Sequence, residues 1–324
     1  MPDAVDLTES PLMTRFAFVF PGQGSQSVGM MAPFEALPEV RQAFAEAGAI
    51  LEQDLWSLTA TGPAEELNKT VNTQPVMLTA GYAILTAWRA AGGPEPAVLA
   101  GHSLGEYAAL VASEALRLQD ALPLVRFRAM AMQDAVREGT GGIAAILGLD
   151  DQAIRGICAD AAQGQVLEAA NFNAPSQVVI AGHREAVERG MALAKARGAK
   201  RALLLPMSVP SHCSLMRDAA GRLAERLAGI SLRPPRTPVL NNVDVATPEQ
   251  PAQIKDSLVR QLHCPVRWVE CMQEMQRRGV TQVIECGPGG VLTGLNKRSA
   301  PSIDSVALRD AAQLQDLARH LRSR

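Results

Sequence analysis

Apolar positions along the chain follow two rhythms. Unbroken apolar runs such as "RFAFVF" (15–20) and "AVLA" (97–100) stop at turn residues, the pattern of short buried strands. Elsewhere, around 39–51 and 73–91, apolar residues recur at helical spacing. Gly92-Gly93-Pro94 ends the second helix, because glycine accepts a left-handed backbone and proline cannot continue the helix. "AVLA" runs straight into Gly101-His102-Ser103-Leu104-Gly105, and "LGEYAALVAS" after it is again helical. The pattern there is strand, tight turn, helix.

Residues 138–207 read as a separate unit. A flexible entry, "EGTGG" (138–142), leads to strand "IAAILGL", helix "DDQAIRGICADAAQ" and strand "VLEAAN". After the turn signal "NAPS" come strand "QVVIAG", helix "REAVERGMALAKARG" and strand "RALLLPM". The order β-α-β-β-α-β is the ferredoxin-like split βαβ pattern. It predicts a small domain inserted into a larger α/β one. The larger domain resumes with helix 214–229, strand "PVLNN" (238–242), helices near 252–262 and 267–278, and strand "QVIECG" (282–287). The expected division is a core of 15–137 and 208–324, an insert of 138–207 and an N-terminal extension of 1–14.

Composition narrows the class. The chain has 324 residues, 47% hydrophobic and 20% charged, as in ordinary soluble globular proteins. A net charge of −2 and 4% aromatic residues argue against nucleic acid, which demands basic excess and stacking rings. The five cysteines include no C-x-x-C pair, so neither a disulfide framework nor a zinc site is expected, and a reducing compartment is. The polar stretch "MPDAVDLTESPLMTR" lacks the apolar centre of a secretory signal, and no apolar run approaches the ~20 residues of a membrane span.

The candidate chemistry starts at Ser103, whose G-x-S-x-G spacing between a buried strand and a helix is that of a nucleophile elbow. The helix N-terminus behind it points N–H groups at developing negative charge, with the Leu104 N–H as the natural first donor. A serine hydroxyl needs a base. Of His102, His183, His212, His263 and His320, only His212 sits on a strand-to-helix loop stiffened by prolines, Pro206 and Pro210. No later acid stands out to orient it, so a backbone carbonyl is an alternative. Arg128 interrupts an apolar helical stripe with Leu124, Val125, Ala131 and Met132. That places it either at the surface by snorkelling, or inside, where it caps a buried carboxylate of the protein or serves as a guanidinium for a substrate carboxylate; Arg126 is the competing candidate. "PGQGSQ" (21–26) lacks the spacings of phosphate and dinucleotide loops, and its glutamines face the elbow from the first strand instead.

Together these pieces resemble the malonyl-CoA:acyl carrier protein transacylases of type II fatty acid synthesis. The matching stretches are "FVFPGQGSQ", "ELNKTVNTQPV", "AGHSLGEYAAL", "GTGGIAAILGL", "NFNAPSQVVIAG", "SVPSHCSLM", "VLNNVD" and "ECGPGGVLTGL", spread from about 16 to 297. The resemblance implies an α/β fold with a hydrolase-like core, a parallel sheet and an inserted ferredoxin-like (βαββαβ) subdomain. It implies Ser103 as nucleophile, His212 as base and Arg128 as the holder of the malonyl carboxylate. It implies the N–H of Gln23 beside that of Leu104 in the oxyanion hole, and the main-chain carbonyl of Gln261 as orienter of the histidine. Expected partners are malonyl-CoA and acyl carrier protein, with coenzyme A thioester as substrate and no metal or other cofactor. A cytoplasmic monomer is expected, with no nucleic acid or membrane partner. An acidic carrier would be received by basic residues, for which Lys195, Arg197, Lys200, Arg201, Lys297 and Arg298 are candidates. The chain departs from the family pattern at Gly290, where many relatives carry lysine, and at Cys264, where asparagine is usual.

Overall fold

Strand β1 (Phe16–Phe20) is buried along its whole length because both of its faces are covered. Phe16, Phe18 and Phe20 point into one apolar cluster, where Phe18 meets Trp88 of helix Thr70–Ala90 edge-on at 5.1 Å. Ala17 and Val19 point into a second cluster with Trp268 and Met272 of helix Trp268–Arg277. A strand covered on both sides must be apolar at every position, which is why "FAFVF" shows no alternation.

The computed structural model describes residues 15–207 and 209–323, so the extension 1–14 lies outside the described residues. The remaining strands are β2 (Val98–Gly101), β3 (Gly141–Leu147), β4 (Leu167–Ala174), β5 (Gln177–His183), β6 (Arg201–Leu204), β7 (Val239–Leu240), β8 (Gln282–Glu285) and β9 (Asp304–Ala307). β7, β2, β1, β8 and β9 form a five-stranded sheet in that order, and every pairing in it is parallel. Phe20 pairs with Gly101 and Val19 with Glu285, so β1, β2 and β8 end level with one another. Their loops therefore meet at the carboxyl edge of the sheet, where open parallel sheets place their sites.

A second, four-stranded sheet has the order β4-β5-β3-β6 and is antiparallel throughout. This is the strand order of the split βαβ pattern. Helices Asp151–Ala162 and Arg184–Ala196 pack on one face through Ile154, Ile157 and Val187. The other face carries Ile143, Ala170 and Val179 and packs with Cys213, the neighbour of His212. Two backbone hydrogen bonds of 2.9 Å tie β4 to Val266, which joins the small sheet to the core close behind Gln261.

Some elements differ from the sequence pattern. β9 and the short helices Leu55–Thr61 and Ala64–Asn68 carry little periodicity of their own. β4 runs on past "VLEAAN" to Ala174, leaving Pro175 and Ser176 as the turn, with Ser176 at φ 57°. The strand expected at 238–242 shrinks to Val239–Leu240: Asn241 closes a local turn with Asp244 and Ala246, and Asn242 serves the neighbouring elbow.

Candidate active site

The turn at Ser103 is built from glycine because backbones meet there. A Cβ on Gly101 would lie 1.8 Å from the carbonyl carbon of Gly105, and one on Gly105 would lie 2.0 Å from the oxygen of Phe20. A Cβ on Gly22 would stand 2.5 Å from the oxygen of His102, so the 21–26 loop also reaches the elbow backbone to backbone. Ser103 itself sits at φ 53°, a left-handed conformation costly for serine. It is held at both ends. Its N–H donates to Asn242 Oδ1 at 2.7 Å, and its carbonyl accepts from Gln261 Nε2 at 3.1 Å.

His212 comes from the loop after β6, with φ 62° and its N–H on the Leu262 carbonyl at 2.9 Å. Its Nε2 lies 2.7 Å from Ser103 Oγ, and its Nδ1 lies 2.7 Å from the main-chain oxygen of Gln261. A carbonyl only accepts, so Nδ1 carries the proton and Nε2 is left to accept from the serine hydroxyl. Burial, and then the charge of Arg128, push the His212 pKa down to about 3. The ring is therefore neutral and able to take a proton.

Arg128, from helix Leu118–Asp134, is only 1% exposed. Nη1 donates to Gln74 Oε1 at 2.9 Å, and Nη2 faces Gln261 Oε1 at 3.2 Å and Ser103 Oγ at 3.3 Å. Among the described residues its buried Nε has no partner. Arg126, on the other face, reaches out to the Leu51 carbonyl and Gln53. Of the two arginines, only Arg128 meets the serine.

Ser103, His212, Arg128, Gln23 and Leu104 line one narrow cavity of about 120 Å³. Ile143, Asn171, Asn173 and Val179 of the small sheet form another of its walls. The N–H groups of Gln23 and Leu104 engage no acceptor among the described residues. The side chain of Gln23 donates to Thr70 Oγ1 at 3.1 Å, which fixes the loop beside the serine. The site thus joins a hydroxyl, a neutral imidazole, two open N–H groups and a buried cation. That combination suits acyl transfer through an ester, with a carboxylate on the acyl group. Among the described residues no cluster of His, Cys, Asp and Glu has the makings of a metal site.

The acyl transferase domain family matches residues 17–315. The malonyl CoA-acyl carrier protein transacylase of Salmonella typhimurium is 55% identical over 303 residues, which is 93% of this chain and 98% of that protein. The chain belongs to the malonyl CoA-acyl carrier protein transacylase family. Among solved structures, an acyl-carrier-protein S-malonyltransferase from Burkholderia pseudomallei is 56% identical with a TM-score of 0.92, covering 94% of this chain and 99% of that one. A malonyl-transacylase solved in complex with its type II PKS acyl-carrier protein is 50% identical with a TM-score of 0.93, again covering 94% and 99%.

Against that family background, three site residues stand out that the sequence patterns did not single out. Asn242 holds the serine N–H, Gln74 holds the arginine, and Glu106 holds both Asn242 and Gln261. Their signal was present but general: each is a polar side chain inside an apolar stretch. The other histidines are accounted for. His102 lies against Trp268, with ring centroids 5.4 Å apart, and pairs with Asn173 at 2.7 Å. His183 accepts from the Val166 N–H, His263 contacts Cys264, and His320 is exposed on the last helix. Gly290 takes φ 81° at the start of helix Val291–Ser299, a backbone that favours glycine over lysine.

Proposed function

We infer that the chain transfers a malonyl group from malonyl-CoA to the thiol of acyl carrier protein in two steps, supplying fatty acid synthesis. The observation that carries this reading is the 2.7 Å contact between Ser103 Oγ and a neutral His212, with Arg128 Nη2 3.3 Å from the same oxygen. His212 takes the hydroxyl proton as Ser103 Oγ attacks the thioester carbon. The developing oxyanion is received by the N–H groups of Gln23 and Leu104; losing one such donor costs about 3 kcal/mol of barrier. The coenzyme A thiolate leaves and takes the proton back from His212, and Ser103 holds a malonyl ester. The carrier thiol then gives its proton to His212 and attacks the ester carbon; the bond to Ser103 Oγ breaks, and His212 returns the proton to that oxygen. Arg128 pairs with the free malonyl carboxylate, and Gln261 keeps the imidazole in the Nδ1–H tautomer.

Mass spectrometry of the intact protein tests the first step. With malonyl-CoA, the protein is expected to gain one malonyl group and lose it to added carrier. Ser103→Ala is expected to gain none, and a malonyl adduct on that variant overturns the nucleophile.

For the carrier, the basic set supports docking at the small sheet and beyond β8. Arg197 is paired with Asp160, whereas Arg298 meets only the neutral Gln177 and keeps its charge, so Lys195, Lys200, Arg201, Lys297 and Arg298 carry this proposal. Reversing those charges is expected to raise KM for the carrier and flatten its salt dependence, leaving malonylation of Ser103 by malonyl-CoA unchanged. An unchanged salt dependence removes the patch from the reading. Among the described residues no helix is long and apolar enough to cross a membrane. The same reading makes the enzyme a cytoplasmic monomer.

A further inference from the structure

Glu106 is the one charged residue in "GEYAALVA", the helix that follows the elbow, and it is only 2% exposed. Burying a carboxylate is costly, and here burial raises its pKa to about 7 despite two hydrogen bonds and the nearby Arg128. Its partners show what it does. A single oxygen, Oε2, accepts from the Asn242 N–H at 3.0 Å and from Gln261 Nε2 at 2.8 Å. Asn242 in turn holds the elbow, with Oδ1 on the Ser103 N–H and Nδ2 on the Gly101 carbonyl, each at 2.7 Å. Gln261 holds everything else: its Nε2 reaches the Ser103 carbonyl, its Oε1 accepts from Arg128, and its main-chain oxygen accepts from His212.

We propose that Glu106 is a positioning residue for acyl transfer: one acceptor oxygen seats both Asn242 and Gln261 and so fixes Ser103, His212 and Arg128 in a single frame. The inference rests on the roles given above to Ser103 and His212. The chemistry of the acceptor gives the frame its polarity. An oxygen that only accepts turns the Gln261 carboxamide nitrogen inward and leaves its carbonyl for the guanidinium. The opposite rotamer would set that carbonyl against two oxygens and the amide N–H groups against Arg128. The acid absent from direct contact with His212 is thus present one residue removed, acting through an amide. The same two amides also hold Ser103 by its N–H and its C=O, which keeps its left-handed backbone from relaxing.

The test compares the full-length parent with Glu106→Ala, Glu106→Gln and Gln261→Leu at pH 8. Two readouts are taken: malonyl transfer to carrier protein, and the ¹⁵N spectrum of the His212 imidazole in the free protein. Glu106→Ala is expected to lower kcat roughly 10- to 100-fold, as small misplacements of reacting groups do, with KM for malonyl-CoA little changed. Glu106→Gln keeps an acceptor oxygen and restores most of kcat. Gln261→Leu keeps the main-chain carbonyl but severs the link; it lowers kcat like Glu106→Ala, and the double variant is no worse. In the parent the imidazole is the Nδ1–H tautomer, and in Glu106→Ala and Gln261→Leu it becomes a tautomer mixture. The proposal is overturned by a parent-like kcat in Glu106→Ala, by a change confined to KM, by Glu106→Gln as impaired as Ala, or by an unmoved imidazole spectrum. Should Glu106→Ala not fold, Gln261→Leu decides by the same two readouts. A parent that never takes up malonyl overturns the transferase reading instead, and the imidazole spectra still decide the role of Glu106.

Discussion

β2 and β8 flank β1, and each ends in a glycine-bearing turn that opens a helix, yet the two helix ends are used in opposite ways. At β8 the end is closed by its own chain. Glu285 accepts from the N–H groups of Leu292 and Thr293 at 3.1 and 2.7 Å, and from Thr293 Oγ1 at 2.8 Å. At β2 the end is open. No side chain caps helix Gly105–Ala112, and its acidic residue, Glu106, turns instead toward Asn242 and Gln261. The backbone differs in the same sense: glycines 289 and 290 take the left-handed angles at β8, whereas a serine takes one at β2. A helix N-terminus offers unsatisfied donors and positive potential. Filled by the chain, they stabilise the fold; left free beside Ser103, they are open to the transient anion of the proposed reaction.

If that contrast holds, damage near the open end should cost activity and damage at the closed end should cost stability. Arg128→Ala, facing the open end, is expected to lower kcat/KM for malonyl-CoA by roughly 100-fold or more, the scale of a buried charge-assisted pair. The check is kcat/KM for malonyl-CoA against acetyl-CoA on the same preparation. A ratio equal to the parent's removes Arg128 from carboxylate recognition and weakens the contrast.

Glu285→Ala is the opposite case. It strands three donors in a buried setting and is expected to destabilise by about 2 kcal/mol. Thermal melts should show Tm lower by a few degrees, while malonyl transfer at 25 °C stays near the parent's. A fall in kcat with Tm unchanged would mean that the closed end serves the reaction as well.

The same contrast explains what could be read in the sequence. The elbow was legible because its constraints are local: an apolar run, two glycines and an amphipathic continuation occupy consecutive positions. The small sheet was legible because its strands and helices alternate within one stretch. His212 stood out through Pro206 and Pro210, and Arg128 through the stripe it interrupts. The resemblance offered the main-chain carbonyl of Gln261, but the side-chain frame around these residues was not legible. Glu106, Asn242 and Gln261 lie up to 155 positions apart along the chain, and their meaning comes from which amide nitrogen faces which oxygen. β9 was missed because a parallel edge strand of four residues, one of them exposed Asp304, has too short a pattern to register.

The smallest expected effect is an absence, and it bears on the open end most directly. An ordinary histidine titrates near pH 6.5, so a base of that kind would lose activity steadily between pH 7 and 5. His212 is buried beside Arg128, with His102 also disfavouring its charge, and its pKa is held down to about 3. The imidazole therefore stays neutral across that window. The sign for stability follows. Below pH 6.5 the unfolded chain binds a proton at this residue and the folded chain does not, so its burial favours unfolding increasingly as pH falls toward 3. For the reaction, the rate of malonyl-adduct formation should show no acid limb centred near 6.5, and its decline should begin only where the fold itself weakens. Stopped mixing with malonyl-CoA from pH 5 to 8, with a melt at each pH, separates the two. An acid limb near 6.5 in a fully folded protein would mean that water reaches the imidazole, and that the open end is wetter than its hydrogen bonds imply.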